Sequence, residues 1–320
     1  MAQAVAVQST GGRRWRSARR AATPYAYLAP GFVFMTFSTL IAVGFSLWIS
    51  FTNYDLYHPL GKFHWVGARN YKELLTSAGF SFDSFVRVFE WTVLFAAFST
   101  TISFLVGLGL ALLLNDRQIK ERNIYRTLLI VPWALPGAIT ILAWQGLLNV
   151  DFGHINAFLG NLGIGKVPWT TDQAWGRFAC ILVNTWFTFP FMMTASLGAL
   201  QSVSDDLLEA ARIDGARKWN QFRFVTFPTL RGVVVPLLIT NFAFQFNNFN
   251  IIYLLTRGDP PNVSDPAAGG TDILGSYAYK LTLQQQRYGL AAAVAVFIFL
   301  IVAAISFIAM RASGSFKETV

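Results

Sequence analysis

Six stretches of this 320-residue chain contain no Asp, Glu, Lys or Arg: residues 21–54, 91–115, 127–150, 178–204, 232–256 and 288–310. Each exceeds the roughly 20 apolar residues an α-helix needs to cross a bilayer. Only 13% of the residues are charged and 54% are hydrophobic, whereas a soluble domain carries about 25% charge. The expected fold is therefore an all-α membrane protein with six transmembrane helices, at about 27–51, 91–114, 127–148, 178–200, 233–255 and 288–310. Residues 1–20 are expected to form a basic cytoplasmic tail, and residues 21–320 one transmembrane domain with a cytoplasmic loop at 201–232. One cysteine, Cys180, leaves no route to an intramolecular disulfide or a cysteine-based metal cluster.

Basic residues beside spans are retained in the cytoplasm. With both termini inside, the inner segments hold 16 Lys and Arg against 9 outside, while Asp and Glu divide 7 inside and 9 outside. The whole net charge of +9 then lies on the cytoplasmic face. The basic balance is a topology signal, and nucleic-acid binding loses its support. The tail residues Arg13, Arg14, Arg16, Arg19 and Arg20 also resemble the start of a secretory signal. The following run is longer than an h-region of about 7–15 residues and lacks a small-residue cleavage site, so the first span is expected to be retained.

No span interior carries an ionisable side chain, and His58, His64 and His154 all fall in outer loops. Ion-coupled carriers place titratable groups at membrane depth; here the driving energy must enter elsewhere. The spans do carry neutral polar stripes. Asn241, Gln245 and Asn248 stand at i, i+4 and i+7 beside Phe244, and Asn184, Thr188 and Phe191 repeat that spacing in the preceding span. Two such faces meeting in a bundle would offer amide donors and acceptors beside aromatic rings, which suits a polyhydroxyl solute without charge. The competing explanation is that these amides glue helices together. Residues 160–167, GNLGIGKV, imitate half of a phosphate-binding loop, but Val167 stands where Ser or Thr must hold magnesium, so the segment is assigned to a loop. No nucleophile, base and orienting group are grouped, so no catalytic residue and no metal ligand set are expected.

Residues 202–232 read SVSDDLLEAARIDGARKWNQFRFVTFPTLRG. Ser202 or Ser204 can cap a helix, Asp205 and Asp206 favour its first turn, and Gly215 permits a bend. A second amphipathic stretch, 216–224, is expected to end before Pro228. The product is a helix, bend, helix hairpin on the cytoplasmic face, suited to a partner's groove or to an anionic lipid surface.

Here the chain resembles a known family. Glu209-Ala210-Ala211, three residues, Gly215, nine residues and Val225-Thr226-Phe227-Pro228 are similar to the EAA coupling motif in permease subunits of binding-protein-dependent ABC importers. Residues 183–193, 241–258, 269–281 and 288–306 further resemble the larger permease of maltose and maltodextrin importers. The resemblance implies a type I ABC importer permease fold in a bacterial or archaeal plasma membrane. The extra N-terminal spans and large extracytoplasmic domain of the best-known relative are expected to be missing, since Phe51 to Glu90 is too short to be such a domain. It implies sugar contacts at Asn184, Phe187, Thr188, Phe191, Asn241, Phe244, Gln245 and Asn248. It implies coupling through Glu209, Ala210, Ala211, Asp214 and Gly215. Phe191 replaces a tyrosine of the maltose pattern, Asn241 a serine, Gln245 an asparagine and Thr188 a glycine. The implied partners are an ATPase subunit dimer that holds ATP and magnesium, a second homologous permease and an extracellular solute-binding protein. This chain is expected to hold no cofactor of its own. The implied function is ATP-driven import of maltose, maltodextrin or a related disaccharide such as trehalose. An ion-coupled secondary sugar carrier would share the spans but not require the hairpin. A membrane-embedded glycosyl-transfer enzyme would need carboxylates or histidine at the interface.

Overall fold

The structure, a computed structural model, describes residues 10–76, 82–116, 118–262 and 268–312. The expected tail residues 1–9, and 313–320 at the other end, lie outside the described residues. Two compact units are present, Met1–Ile49 and Ser50–Val320. The first contains α1 (Thr10–Ile49), whose apolar part is Thr23–Ile49; helix thus already covers the end of the expected tail.

The second unit contains α2 (Arg69–Leu75), α3 (Phe82–Leu114), α4 (Arg122–Ala134), α5 (Gly137–Leu147), α6 (His154–Asn161) and α7 (Gln173–Gln201). It continues with α8 (Asp205–Ile213), α9 (Lys218–Gln221), a π-helical turn (Phe222–Thr226), α10 (Phe227–Phe246), α11 (Phe249–Leu255), α12 (Leu274–Leu283) and α13 (Tyr288–Ala312). Among the described residues, five helices are long and apolar enough to cross a membrane, or six if the bent pair α4 and α5 counts as one.

The longest packing seam joins α3 and α7. Ser99, Ser103, Gly107 and Ala111 recur every fourth residue along α3, and all are buried. Small residues at that spacing let two backbones approach closely in a membrane, where dispersion and backbone proximity replace the hydrophobic driving force. A Cβ on Gly107 would lie 2.6 Å from the Met193 backbone nitrogen and 2.8 Å from the Met192 carbonyl carbon. Phe104, Leu108, Met193, Leu197, Leu230 and Val234 fill the seam at the end where α10 begins. Trp91, Phe95, Ile141, Val183, Ile251 and Ile273 form a core toward its other end.

Two segments depart from the expected straight spans, and a third is more continuous than expected. Residues 127–148 do not form one helix: α4 and α5 meet at 91°. Leu135 is extended (φ −77°, ψ 148°) because the following Pro136 excludes the helical region for it. In the fifth expected span, α10 stops at Phe246, and Asn247 and Asn248 are non-helical before α11 begins. The expected interruption before Pro228 does not occur. Pro228 sits in the first turn of α10, and the π turn just before it shifts the hydrogen-bond register, so the missing N–H and the ring are accommodated without breaking the rod.

Candidate functional site

The two polar stripes meet. Asn184 and Thr188 lie on α7, Asn241 and Gln245 on α10, and Asn248 in the break that follows. Gln245, with 0% exposure, is the hub. Its Oε1 accepts from Asn184 Nδ2 (3.0 Å) and Asn248 Nδ2 (2.9 Å). Its Nε2 donates to Thr188 Oγ1 (3.3 Å) and, at 3.5 Å, to Asn241 Oδ1. All four hydrogen-bonding positions of that amide are thereby used. Asn248 Nδ2 also donates to Asn184 Oδ1 (3.0 Å), and Asn241 Nδ2 donates to Thr100 Oγ1 of α3 (3.1 Å).

Asn248 reaches this network by a different route from the expected i+7 position. Its backbone has left the helix (φ −79°, ψ 70°), and its half-buried side chain turns back onto Gln245. Non-helical backbone at membrane depth is tolerated where protein or a polar cavity satisfies it; the Asn247 and Asn248 N–H groups bond to the carbonyls of Phe244 and Gln245. Thr100 was not singled out in the sequence, because one threonine in an apolar span sets no period.

The phenylalanines are placed less uniformly. Phe187 packs beside Trp186 (5.3 Å between ring centres) and against the core around Trp91 and Val183. Phe191 pairs with Trp133 of α4 (6.2 Å), and Phe244 is 69% exposed on the flank of α10. Thus the five polar residues converge, while the three rings surround them on separate surfaces.

At the other end of α7 the chain turns through the segment 202–226. Ser204 Oγ accepts from the Asp206 N–H (3.2 Å) and caps α8. Gly215 closes the helix at φ +80°, with Ala216 N–H bonded to the Ala211 carbonyl (2.9 Å) and Gly215 N–H to the Arg212 carbonyl (3.0 Å). This pair of bonds is a Schellman motif, for which a residue with positive φ is required. Gln221 Nε2 donates to the Ala216 carbonyl (2.7 Å) and ties the second limb to the bend. Nothing in α8 is buried; Glu209, Ala210 and Asp214 are exposed, Ala211 is half-buried, and Leu207, Ile213, Trp219 and Phe224 are exposed apolar side chains nearby. Residues 162–167 form a loop as expected, whereas Gly160 and Asn161 are the last two residues of α6. Asn156 holds it through Val167 and Trp169, and Gly163 takes a positive φ of 75°.

Beyond the spans, one charged pair is fully enclosed. Lys280 Nζ lies 2.6 Å from Asp272 Oδ2, with side-chain exposures of 6% and 0%. Gly269 N–H and Ser276 Oγ also donate to this carboxylate (both 2.7 Å). Burial pushes the Asp272 carboxyl upward more than Lys280 and these donors pull it down. Among the described residues, no group of three or more His, Cys, Asp or Glu is placed to hold a metal.

A helical membrane chain with a buried neutral amide centre between two spans, joined by an exposed hairpin, has the build of a transport permease. The chain belongs to the family described as the binding-protein-dependent transport system inner membrane component, whose model matches residues 103–315. It is 41% identical to the galactooligosaccharides transport system permease protein GanP of Bacillus subtilis, over 92% of this chain and 71% of that protein. It is 38% identical to the maltodextrin transport system permease protein MalC of Streptococcus pneumoniae, over 92% and 69%. Identity is 40% to the maltose/maltodextrin transport system permease protein MalF of Salmonella typhimurium, over 78% of this chain but 49% of that one. The fold is shared with a bacterial ABC transporter that imports the acidic polysaccharide alginate (TM-score 0.77, 23% identity, 96% and 100% coverage).

Proposed function

We infer that this chain is the membrane-spanning permease subunit of an ATP-driven importer for maltose-type oligosaccharides, working with ATPase subunits, a second permease and an extracellular solute-binding protein. The observation that carries the reading is the order of parts along the chain. α7 bears Asn184 and Thr188, the hairpin follows, and α10 bears Asn241 and Gln245. The 20 residues of α10 span about 30 Å at 1.5 Å per residue. A displacement of the hairpin is therefore delivered to both helices whose side chains form the amide network.

The hairpin is the proposed docking element for the ATPase. Its exposed alanine and leucine edge fits a groove, Glu209 and Asp214 offer charge at the rim, and Gly215 sets the angle between limbs. The network is the proposed sugar site. Its amides bond to each other, and exchanging those bonds for bonds to sugar hydroxyls is close to neutral in free energy, so a solute can enter and leave without becoming trapped. Maltodextrin and galactooligosaccharide permeases among the relatives support an oligosaccharide substrate. The basic residues of the inner segments support a cytoplasmic position for both termini.

The test is a pull-down of the tagged chain from native membranes, followed by reconstitution. Recovery of an ATPase, a second permease and a solute-binding protein is expected, as is uptake of unmodified labelled maltotriose that requires ATP and survives an ionophore. Uptake that collapses with the ionophore while ATP is maintained would instead establish a secondary carrier.

A further inference from the structure

α11, which resumes the chain after the break at Asn247 and Asn248, has two unlike faces. Ile251, Ile252 and Leu255 are buried in the core that also holds Val183 and Ile273. Phe249 and Tyr253, four residues apart and so one turn above the other, are half-buried on the opposite side. Tyr279 of α12 completes the group, while Leu274, Tyr277 and Leu281 of that helix are buried in a separate core with Val88 and Leu290. The ring centres lie 5.0 Å apart for Phe249 and Tyr253, 5.0 Å for Phe249 and Tyr279, and 4.8 Å for Tyr253 and Tyr279. Both helices are described from end to end.

This cluster of rings adjoins the amide network. Phe249 follows Asn248 directly, and Gly275 brings the start of α12 against the break: a Cβ there would lie 3.1 Å from Asn247 Oδ1 and 4.0 Å from Phe249 Cβ. Asn247 and Asn250 stand on either side of Phe249 in the chain, inside the fifth expected span. Both are exposed, and neither side chain makes a hydrogen bond among the described residues. Against hydrocarbon such amides would stay unsatisfied, at a cost that spans avoid, so free amides beside non-helical backbone at this depth mark a polar passage. A packing face for another span would carry small residues in place of three large rings.

A sugar ring carries hydroxyls round its edge and C–H bonds on its faces. The electron-rich face of an aromatic ring attracts those C–H bonds, and neighbouring amides bond to the edge. Tyr253 lies about 6 Å along α11 from Phe249, at 1.5 Å per residue, on the side of the network remote from the hairpin. Resting on the importer reading above, we propose that Phe249, Tyr253 and Tyr279 form a stacking subsite beside the amide network, holding the units of an oligosaccharide beyond those bonded by Gln245 and Asn248. The network then recognises the sugar, and the rings set how long a chain is accepted. A disaccharide seated on the amides gains little from the rings, whereas a longer chain gains a stacked unit.

The experiment uses the whole importer in proteoliposomes, with an excess of the solute-binding protein recovered with it, and supplies maltose and maltotetraose together under distinct labels. The ratio of the two ATP-dependent uptake rates cancels any loss of assembled complex. Tyr253→Ala is expected to lower the maltotetraose-to-maltose ratio about tenfold, and Tyr253→Phe to keep it native. Asn250→Cys is expected to react with a small water-soluble thiosulfonate and to be protected by maltotetraose during turnover. An unchanged ratio in Tyr253→Ala, or native uptake of maltose with refusal of maltotetraose, would overturn the proposal and leave the importer reading intact. Reaction of Asn250→Cys with a lipid-soluble maleimide alone would overturn it by turning this face to the bilayer. Loss of the second permease from Tyr253→Ala would overturn it in favour of a packing face. If the native importer moves neither sugar with ATP, both readings fall together.

Discussion

Gln245 uses all four of its hydrogen-bonding positions, and its neighbours do not, which separates the consequences of changing them. Gln245→Leu leaves donors of Asn184 and Asn248 without their acceptor in a buried setting, at about 1–3 kcal/mol for each orphaned group. The expected result is a lower unfolding temperature of the detergent-solubilised chain before any effect on transport is considered. Asn248 is half-buried and at the edge of the network. Asn248→Ala is therefore expected to raise the sugar concentration for half-maximal uptake about tenfold, the loss of about 1.4 kcal/mol, at unchanged membrane abundance. Normal uptake at limiting sugar would remove Asn248 from the contact set. The enclosed pair Asp272 and Lys280 makes a contrasting case. Asp272→Asn leaves Lys280 buried without its counter-charge and is expected to cost about 3–5 kcal/mol, whereas Asp272→Leu with Lys280→Met should come close to native stability. Thermal unfolding of the three variants decides it, and equal losses in single and double variants would show that the charge pair is not what the loop depends on. The amide stripe was legible in the sequence because 3.6-residue periodicity places i and i+4 together. The Asp272–Lys280 pair and the Thr100 contact were not, since each depends on how non-periodic or separate segments are brought together.

At the level of elements, periodicity reported where helices run but not where they bend. The 91° angle between α4 and α5 rests on Leu135 and Pro136, a local signal hidden inside a run whose apolar length alone suggested one span. The stop of α10 at Phe246 rests on two asparagines, residues that favour caps and turns over helix interiors, within an otherwise apolar sequence. The hairpin was more legible, because its cap, its acidic first turn and its glycine are all local chemistry. Gly215 stands at φ +80°, where proline, locked near −65°, cannot. Gly215→Pro is thus expected to displace one limb of the hairpin against the other while α7 and α10 still form. In reconstituted importer the prediction is ATP hydrolysis retained at roughly native level with sugar uptake lost. Disappearance of the complex from the membrane would mean that the bend is needed for assembly, and coupling through it would have to be abandoned as the reason for the glycine.

For the whole molecule, the distribution of charge and the path of the chain make the same statement about sidedness. α7 has 29 residues, about 43 Å at 1.5 Å per residue, which exceeds the roughly 30 Å apolar thickness of a bilayer. Its two ends must then emerge on opposite faces: Arg177 near one, the hairpin near the other. The excess of basic residues in the hairpin's segments supports the proposal that the hairpin is cytoplasmic, within reach of an ATPase, with the Arg177 end of α7 outside. The chain's one cysteine, Cys180, is buried, so single cysteines introduced at exposed sites can be tested for sidedness against a quiet background. Thr171, before α7, and Asp214, in the hairpin, are both exposed. A membrane-impermeant maleimide is expected to label Thr171→Cys in intact cells and Asp214→Cys only after permeabilisation. The reverse pattern would put the hairpin outside, beyond reach of any ATP-consuming partner, and the coupling argument would fail with it. Labelling of both residues in intact cells would mean that α7 does not cross the membrane, against its length, its apolar composition and its seam with α3.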